Sequence, residues 1–551
     1  MNDNIFYISR SAVETDRRCP RSRFLGYLFD GRGLDRTELS IPLATGANVH
    51  KGLEIILKDL KQAEHKFNLT ENGKRQSFSE VFNPKSKWFK KVVNVAVGTA
   101  KAIYRTELET RGFIKEPGAL NEFDEYTINE QEALVEALIR AFAIQVVPTL
   151  IKEYKIVDIE REEQSELCKV QPLPEHKTIS IVFEGKCDAI LESRENGEIV
   201  LVSFKTSKYS PYDDERKDKN ANHDLQGITE TWVTQERLTQ ESSANTAEIV
   251  LANLESSKEI APEWCKEPIT KVIDWIEKKA QKIVKRVAGV QMIYLLKGWR
   301  GETPKGSGQY KDASPLIHGW RKPNLATNLW DYAWSYEYPN PENPSGVSRL
   351  GKGWEKFDVW EEFEGGIEKW IDLLCSEETD HNGNIIPAIQ PECGWCLAKQ
   401  IVVSPLIHRT PQEIRSFLIS AKKRESEIVR AISQVNGWNL QELIDSGWLD
   451  EFFEMRQHSC HYPSDCKFVQ ICYDSEIREH PLAATDPVTG EPIYCYRTPH
   501  HQKELEQHQA LHGSTTTKPT MKKQKKRIVE ETGDEPVHVI HGELEELEEA
   551  D

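Results

Sequence analysis

Apolar positions change period along the chain, and the changes divide it into regions. From about residue 5 to 70 the pattern is helical: IFYISRSAVETDRRCPRSRFLGYLF leads into ATGANVHKGLEIILKDLKQAEH, where Val49, Leu53, Ile56 and Leu57 return at helical spacing. Residues 85–152 continue as helices, most clearly in INEQEALVEALIRAFAIQVVPTLIKEY. The period then shortens to that of strands. IVDIEREEQSEL precedes TISIVFEGKCDAILESRENGEIVLVSFKTSK, in which Asn196-Gly197 separates two apolar-rich runs. Asn-Gly is the strongest short hairpin signal, because both central positions of a type I′ turn need positive φ.

HDLQGITETWVTQERL predicts a helix after the hairpin, QMIYLLKGWR a strand, and DYAWSYEYPNPENP irregular structure. PQEIRSFLISAKKRESEIVRAISQV predicts an amphipathic helix. SPLIH occurs at 314–318 and 404–408, too short a match to define a repeat. From about residue 498 the chain is polar, with too few apolar positions to support a core, and a disordered tail is expected over 498–551.

Composition narrows the class. The 551 residues allow two or three domains, or one elaborated domain with a tail. No run of about eighteen apolar residues occurs, and MNDNIFYISRSAVETDRR lacks the apolar centre of a secretory signal. A soluble, cytoplasmic protein with no membrane partner is expected. The net charge of −18 argues mildly against a surface coated with nucleic acid and leaves room for a local basic channel. Eleven cysteines in such a chain favour metal binding or free thiols over disulfides.

The hairpin carries candidate chemistry. With Asn196 and Gly197 as a two-residue loop, the numbers of opposed residues sum to 393, so Asp188 faces Lys205 and Ile190 faces Ser203. Asp188, Ser203 and Lys205 then share one face of the sheet. A carboxylate and an ammonium held together suit metal-assisted phosphodiester hydrolysis: the first holds Mg²⁺ or Mn²⁺, the second orients water and offsets phosphate charge. The competing reading is an ordinary cross-strand ion pair.

GKCDAI, about fifteen residues of hairpin, and then VSFKTSK resemble the G-x-x-D … (D/E)-x-K-T pattern of RecB-like nucleases of the PD-(D/E)XK superfamily. GANVH resembles the G-x-x-x-H helix start of that family, which makes His50 a histidine ligand. Gln226 fits its glutamine motif, with Glu230 where a tyrosine usually stands. The resemblance implies a restriction-endonuclease-like α/β fold, a mixed sheet flanked by helices, with Asp188 on the metal and Lys205 and Gln226 in catalysis. It departs at Ser203, which replaces the second metal-binding acid. Glu160 on the preceding strand, or Glu230 or Asp224 near the following helix, is a candidate replacement; otherwise the site binds DNA without cutting it.

HSCHYPSDCKFVQICY places Cys460, Cys466 and Cys472 with five residues between neighbours, and Cys19-Pro20 lies near the other end. This set resembles the iron–sulfur clip of AddB and CRISPR-associated RecB-like nucleases, which implies a 4Fe–4S cluster on Cys19, Cys460, Cys466 and Cys472. Zinc suits four thiolates as well. Cys393 and Cys396 form a CxxC pair without a second pair nearby; Cys168, Cys187, Cys265 and Cys375 read as core or strand residues, and Cys495 has no evident partner. His50 on its own reads as a helix-surface residue, and Glu54 as its neighbour or a surface ion pair. The tryptophans, among them Trp299, Trp320 and Trp330, read as core before base-stacking platforms, and KKQKKR at 522–527 as a solvated run.

The expected organisation is a nuclease-like domain over 1–475, comprising a helical N-terminal region (1–152), a core (153–240) and an insert with a C-terminal helical region (241–475). A connector over 476–497 and the tail follow. The expected function is Mg²⁺- or Mn²⁺-dependent DNA cleavage, exonucleolytic or on single strands, in recombination, repair or phage DNA metabolism, with a helicase or recombination protein as a partner. The alternatives are a DNA-binding or assembly protein that keeps the fold without cleavage, and a zinc-stapled structural protein.

Overall fold

A computed structural model describes residues 5–512 apart from 38–40, 67–69, 72–73, 76, 111–121, 208–224, 243–253, 259–261, 281–284, 298–317, 334–338, 341–342, 348–354, 375–376, 380–382, 384, 388–400, 436–437, 462–465, 488–489 and 491. Asp224, Trp299, Cys375, the Cys393/Cys396 pair and the 522–527 basic run lie outside the described residues.

A six-stranded mixed sheet forms the centre: β1 (Ile5–Ser9), β2 (Tyr154–Val170), β3 (Ile179–Ser193), β4 (Ile199–Ser207), β5 (Val287–Leu296) and β6 (Ile401–Val403). β3 is the hub. β2 pairs antiparallel along its whole length on one edge, while the other edge takes β1 in parallel at Ser180–Glu184 and β4 in antiparallel at Ala189–Glu192. β4 continues in parallel with β5, and β6 closes the far side antiparallel to β5.

Helices cover both faces. α1 (Arg10–Arg18) follows β1 directly, with Ser9 as its N-cap accepting from Ala12 N at 3.4 Å. α2 (Ile41–Lys66), α3 (Lys87–Thr110), α4 (Glu122–Gln145) and α5 (Val147–Glu153) bury Leu53, Ile56, Leu138 and Phe142 against Ala189, Leu191, Val202 and Phe204 of the sheet. α6 (Leu225–Ser242) and α7 (Pro411–Gln434) cover the other face, with Trp232 and Phe417 on Ile8 and Phe183. Thr410 and Glu413 form a reciprocal capping box at the start of α7. In chain order, α2, β2, β3, β4, α6 and β5 form the expected mixed sheet flanked by helices.

Several sequence expectations need correction. Ile5–Ser9 and Leu34–Arg36 are strands inside the stretch expected to be helical. Runs of three to five residues are too short for periodicity to decide, and their sheet partners, Ser180–Glu184 and Tyr494–Tyr496, settle them. The last helical run breaks at Val146, ahead of Pro148, into α4 and α5. Leu329–Ala333 pairs with His318–Asn324, so the start of the Trp-rich segment is regular.

The 241–475 region contributes to the same core rather than standing apart: Phe357, Val359, Phe363 and Trp370 join the cluster under α4. The described residues up to Arg497 form one compact unit, and those from Thr498 onward belong to a second. Within the second, Gln502–His512 is helical, against the expectation of a featureless tail. No single described helix is long and apolar enough to cross a membrane; the bent pair Gln131–Gln145 and Val147–Glu153 passes that test only jointly, and its apolar side chains fill the core.

Candidate active site

The hairpin differs from its expected form. Ser193 N donates to Glu198 O at 2.8 Å and Gly197 N to Ser193 O at 2.9 Å, so the loop holds four residues, Arg194–Gly197. Only Gly197 takes positive φ, at 74°. Asn196 instead receives the Glu198 N–H on its side chain at 3.0 Å. Opposed numbers therefore sum to 391, as in Ala189 with Val202, and Asp188 comes level with Ser203 rather than Lys205. A slip of two residues leaves the alternation of β4 intact, so Ser203 and Lys205 share a face, and Asp188 is brought beside Ser203 by its bonds to Ser203 Oγ and Phe204 N.

The strands fork at this point. The β3–β4 ladder stops at Ala189 and Val202. Asp188 Oδ2 then takes the role of a backbone acceptor, receiving Phe204 N–H at 2.6 Å and Ser203 Oγ at 3.3 Å. Alternation along β3 also breaks here: Cys187 and Ile190 pack into one cluster although residues three apart belong on opposite faces. A partly exposed carboxylate is thus held at the mouth of a sheet by bonds that only a fork leaves open.

α6 closes one side of the fork. Lys205 Nζ donates to Gln226 Oε1, and Gln226 Nε2 donates to Ser203 Oγ and, at 2.6 Å, to Glu230 Oε1. Arg10, at the start of α1, donates to the same Gln226 Oε1 at 2.5 Å. Sequence reasoning missed Arg10, because its position beside α6 depends on β1 being a strand. Glu230 is fully buried and its Oε2 has no hydrogen-bond partner. Burial, with the Asp188 charge adding to it, pushes its pKa up to about 8, so near neutral pH it is mostly protonated.

α2 and β2 close the other side. Gly46 lies where α2 touches β4: a Cβ there would stand 2.6 Å from Thr206 Oγ1, which gives the glycine of GANVH a steric reason. One turn on, His50 Nδ1 is 3.8 Å from Asp188 Oδ1, with the ring edge-on to Phe204. Burial lowers the His50 pKa, outweighing the Asp188 charge, which favours the neutral ring that a metal needs. Glu160 sits across the β2–β3 ladder from Asp188 with φ at 53°, a conformation that costs a non-glycine residue about 1–3 kcal/mol and is retained chiefly where function needs it. It pairs with Lys186, and burial raises its pKa with Asp188 adding to the effect. Glu54 is bonded to Lys51 at 2.9 Å and to Lys58 at 2.5 Å.

His50, Asp188, Glu160, Ser203, Lys205, Gln226 and Glu230 are therefore gathered around one fork, although Gln226 stands between Ser203 and Glu230, and Lys186 holds Glu160. Asp188 and Glu160 offer the oxygen ligands that Mg²⁺ and Mn²⁺ prefer, and His50 a nitrogen acceptable to Mn²⁺. Among the described residues no group of three or more His, Cys, Asp or Glu side chains is gathered as a ready metal-binding set. The donor types fit a divalent ion; the side chains are still engaged with one another.

Cys19, Cys460, Cys466 and Cys472 line one cavity of about 280 Å³, also bounded by Gly26 and Phe468. Burial pushes the Cys472 thiol up to about 12, with the other three thiols adding to it. Long-range bonds hold the two chain regions together around the cavity. Ser459 Oγ donates to Arg18 O at 3.0 Å, Arg21 Nε to Phe453 O at 2.9 Å, and Arg424 grips Asp16 through two bonds of 2.8 and 2.9 Å. Thiols are donors that a cluster or zinc takes, but these four, like the fork residues, are not gathered as a ready metal-binding set. Cys187 and Cys168 lie in strands, and Cys495 pairs in the ladder opposite Asp35.

A sequence profile of the PD-(D/E)XK nuclease superfamily matches residues 7–302, more than half of the chain, from within β1 through β5. The chain belongs to the PD-(D/E)XK nuclease superfamily, a family of nucleases that act on DNA and generally use divalent ions such as Mg²⁺ or Mn²⁺. A search of curated proteins finds no match.

Proposed function

We propose that this protein is a Mg²⁺- or Mn²⁺-dependent deoxyribonuclease of RecB-like type, acting on DNA ends or single strands in recombination, repair or phage DNA metabolism. The observation that carries the reading is the fork itself, where Asp188, Lys205 and Gln226 meet within the matched region. Asp188 and His50 hold the ion, and Glu160 supplies the acid that Ser203 lacks. Glu160 is preferred to Glu230 because it lies beside Asp188 with a strained backbone, whereas Glu230 sits behind Gln226. A divalent ion at this place neutralises phosphate charge and acidifies water. Lys205 orients the attacking water, and Gln226 holds the Lys205 ammonium in position.

The four cysteines hold a 4Fe–4S cluster, with zinc as the alternative, in a structural role. A cytoplasmic setting, in a bacterial or phage-infected cell with a helicase or recombination partner, belongs to the same reading. A second reading rests on Ser203: a protein that keeps DNA binding and has lost cleavage.

Labelled single- and double-stranded DNA incubated with Mg²⁺ or Mn²⁺ separates the two. Wild type is expected to cut, Lys205→Ala and Asp188→Ala to fail, and Glu160→Gln to fall well below Glu230→Gln. Wild type cutting no better than Lys205→Ala leaves the second reading. Full activity of Glu160→Gln removes Glu160 from the site. Anaerobically purified protein is expected to be brown, with broad absorbance near roughly 400 nm; a colourless protein with stoichiometric zinc replaces the cluster.

A further inference from the structure

Away from the fork, a cavity of about 300 Å³ is lined by Lys61, Glu64, His65, Lys155, Ile156 and Arg194. Three of these are permanent cations and one is an acid, in a chain whose net charge is −18. Lys61 is bonded to Asp158 at 3.3 Å and Arg194 to Glu64 at 2.5 Å. Lys155 and His65 pair with no acid among the described residues, and both are exposed. The surplus is one cation, Lys155, beside two matched pairs, at a concave place on an acidic protein.

Its position relative to the fork gives it meaning. Two elements carry both a candidate site residue and a basic residue of the cavity, and a third ends one residue short of the cavity's Arg194. α2 carries His50 and Lys61, about 16 Å apart at the rise of a helix. β2 carries Glu160 and Lys155, about 16 Å apart at the rise of a strand. β3 carries Asp188, with Arg194 just past its end, about 20 Å away. The cavity and the fork are therefore tied to the same elements at a separation close to the length of about five base pairs at 3.4 Å per step.

We infer that the Lys61–Lys155–Arg194 cavity is a binding site for a backbone phosphate of DNA, about five base pairs from the bond placed at the fork; the assignment rests on the nuclease reading above. Lys155 and Lys61 supply the charge, and Arg194, fixed by Glu64 and by its bond to Ile151 O at 3.0 Å, supplies a preset donor. The contact carries no sequence information and sets the register of the duplex on the protein.

The test is equilibrium binding of the full chain, in EDTA and across a salt series, to a duplex of about 20 base pairs and to a hairpin-capped duplex of about three, too short to span from the fork to the cavity. The proteins are wild type, Lys155→Ala, Lys61→Ala/Lys155→Ala and Lys155→Arg. On the long duplex, each lysine removed is expected to weaken binding roughly three- to tenfold and to lower the slope of log K against log salt by about one. Lys155→Arg restores both, and the short duplex shows neither effect. Isothermal titration with inorganic phosphate is expected to show no saturable binding at millimolar concentration. An unchanged salt slope, or an equal loss on both duplexes, overturns the site while leaving the nuclease reading intact. Saturable phosphate binding abolished in Lys155→Ala reassigns the cavity to a free anion. Wild type that binds neither duplex overturns this site; wild type that also fails to bind single-stranded DNA overturns the nuclease reading with it.

Discussion

The fork and the cysteine cavity are built in opposite ways. At the fork, a short stretch of sequence from Cys187 to Lys205 makes two strands of one sheet, and backbone geometry fixes the distance between the groups that matter. At the cavity, residues 16–36 meet residues 424–497 mainly through side-chain bonds, including the buried pair Arg23–Glu425 at 3.3 Å, with one short backbone ladder between Leu34–Arg36 and Tyr494–Tyr496. The fork survives the loss of a side chain because its frame is a ladder; the cavity depends on each of its ties. Substitution at the fork should therefore change chemistry more than stability, and substitution at the cavity the reverse.

The largest effect expected is at the fork. Lys205→Ala should reduce DNA cleavage by roughly 10²–10³-fold, the usual cost of one electrostatic group in a preorganised site. Its melting temperature should stay within a degree or two of wild type, since Lys205 is partly exposed and the β4–β5 ladder does not use its side chain. A large drop in melting temperature would make Lys205 structural and break the contrast. Cys460→Ser is the converse: bound iron or zinc should be lost, with about 5–10 °C of melting temperature, corresponding to a few kcal/mol. DNA cleavage per folded molecule, measured well below that temperature, should fall less than threefold. Unchanged metal content would exclude Cys460 as a ligand.

What sequence makes legible follows the same division. The Asp188–Lys205 hairpin is readable because all its determinants lie within one local segment, and a register error of two residues leaves Ser203 and Lys205 on their face of β4. The turn itself is misread because Asn196 uses its side chain, rather than positive φ, to close the loop. The strand at Ile5–Ser9 is not legible, since its partner lies some 170 residues away, and Arg10 is lost with it. Glu160 stands out as an acid on a strand, but its positive φ is a property of the folded ladder that composition does not encode. The cysteine set comes from resemblance; its convergence on one cavity depends on contacts spanning more than 400 residues, which no local pattern carries.

Between these extremes stands the α2–β4 contact. Gly46→Ala places a methyl group 2.6 Å from Thr206 Oγ1, on a helix that also carries His50. Overpacking of this kind costs about 1–3 kcal/mol, and here it should also shift His50 from its place 3.8 Å from Asp188. Both stability and metal-dependent cleavage should fall, and Gly46→Ala/Thr206→Ala should recover some of each by removing the clash. If the double variant regains stability without activity, Thr206 has a role at the fork beyond packing.

The smallest effect separates the fork's frame from its chemistry by pH. Glu230 is held at about 8 by burial, above its ordinary 4.5. A raised carboxyl pKa gives stability that is fully present below about 4.5 and is lost as pH rises through about 8, because the fold must then hold a charge it disfavours. Glu230→Gln keeps the shape and cannot ionise. In EDTA its stability should match wild type at about pH 4–5, rise progressively above it between about pH 5 and 8, and stay at that margin beyond. Chemical denaturation at several pH values reads this directly. A difference that does not vary with pH would mean that the Glu230 carboxyl is not desolvated. A margin that shrinks when Mn²⁺ is added would mean that the ionised carboxylate is used by the metal, bringing Glu230 back in place of Glu160.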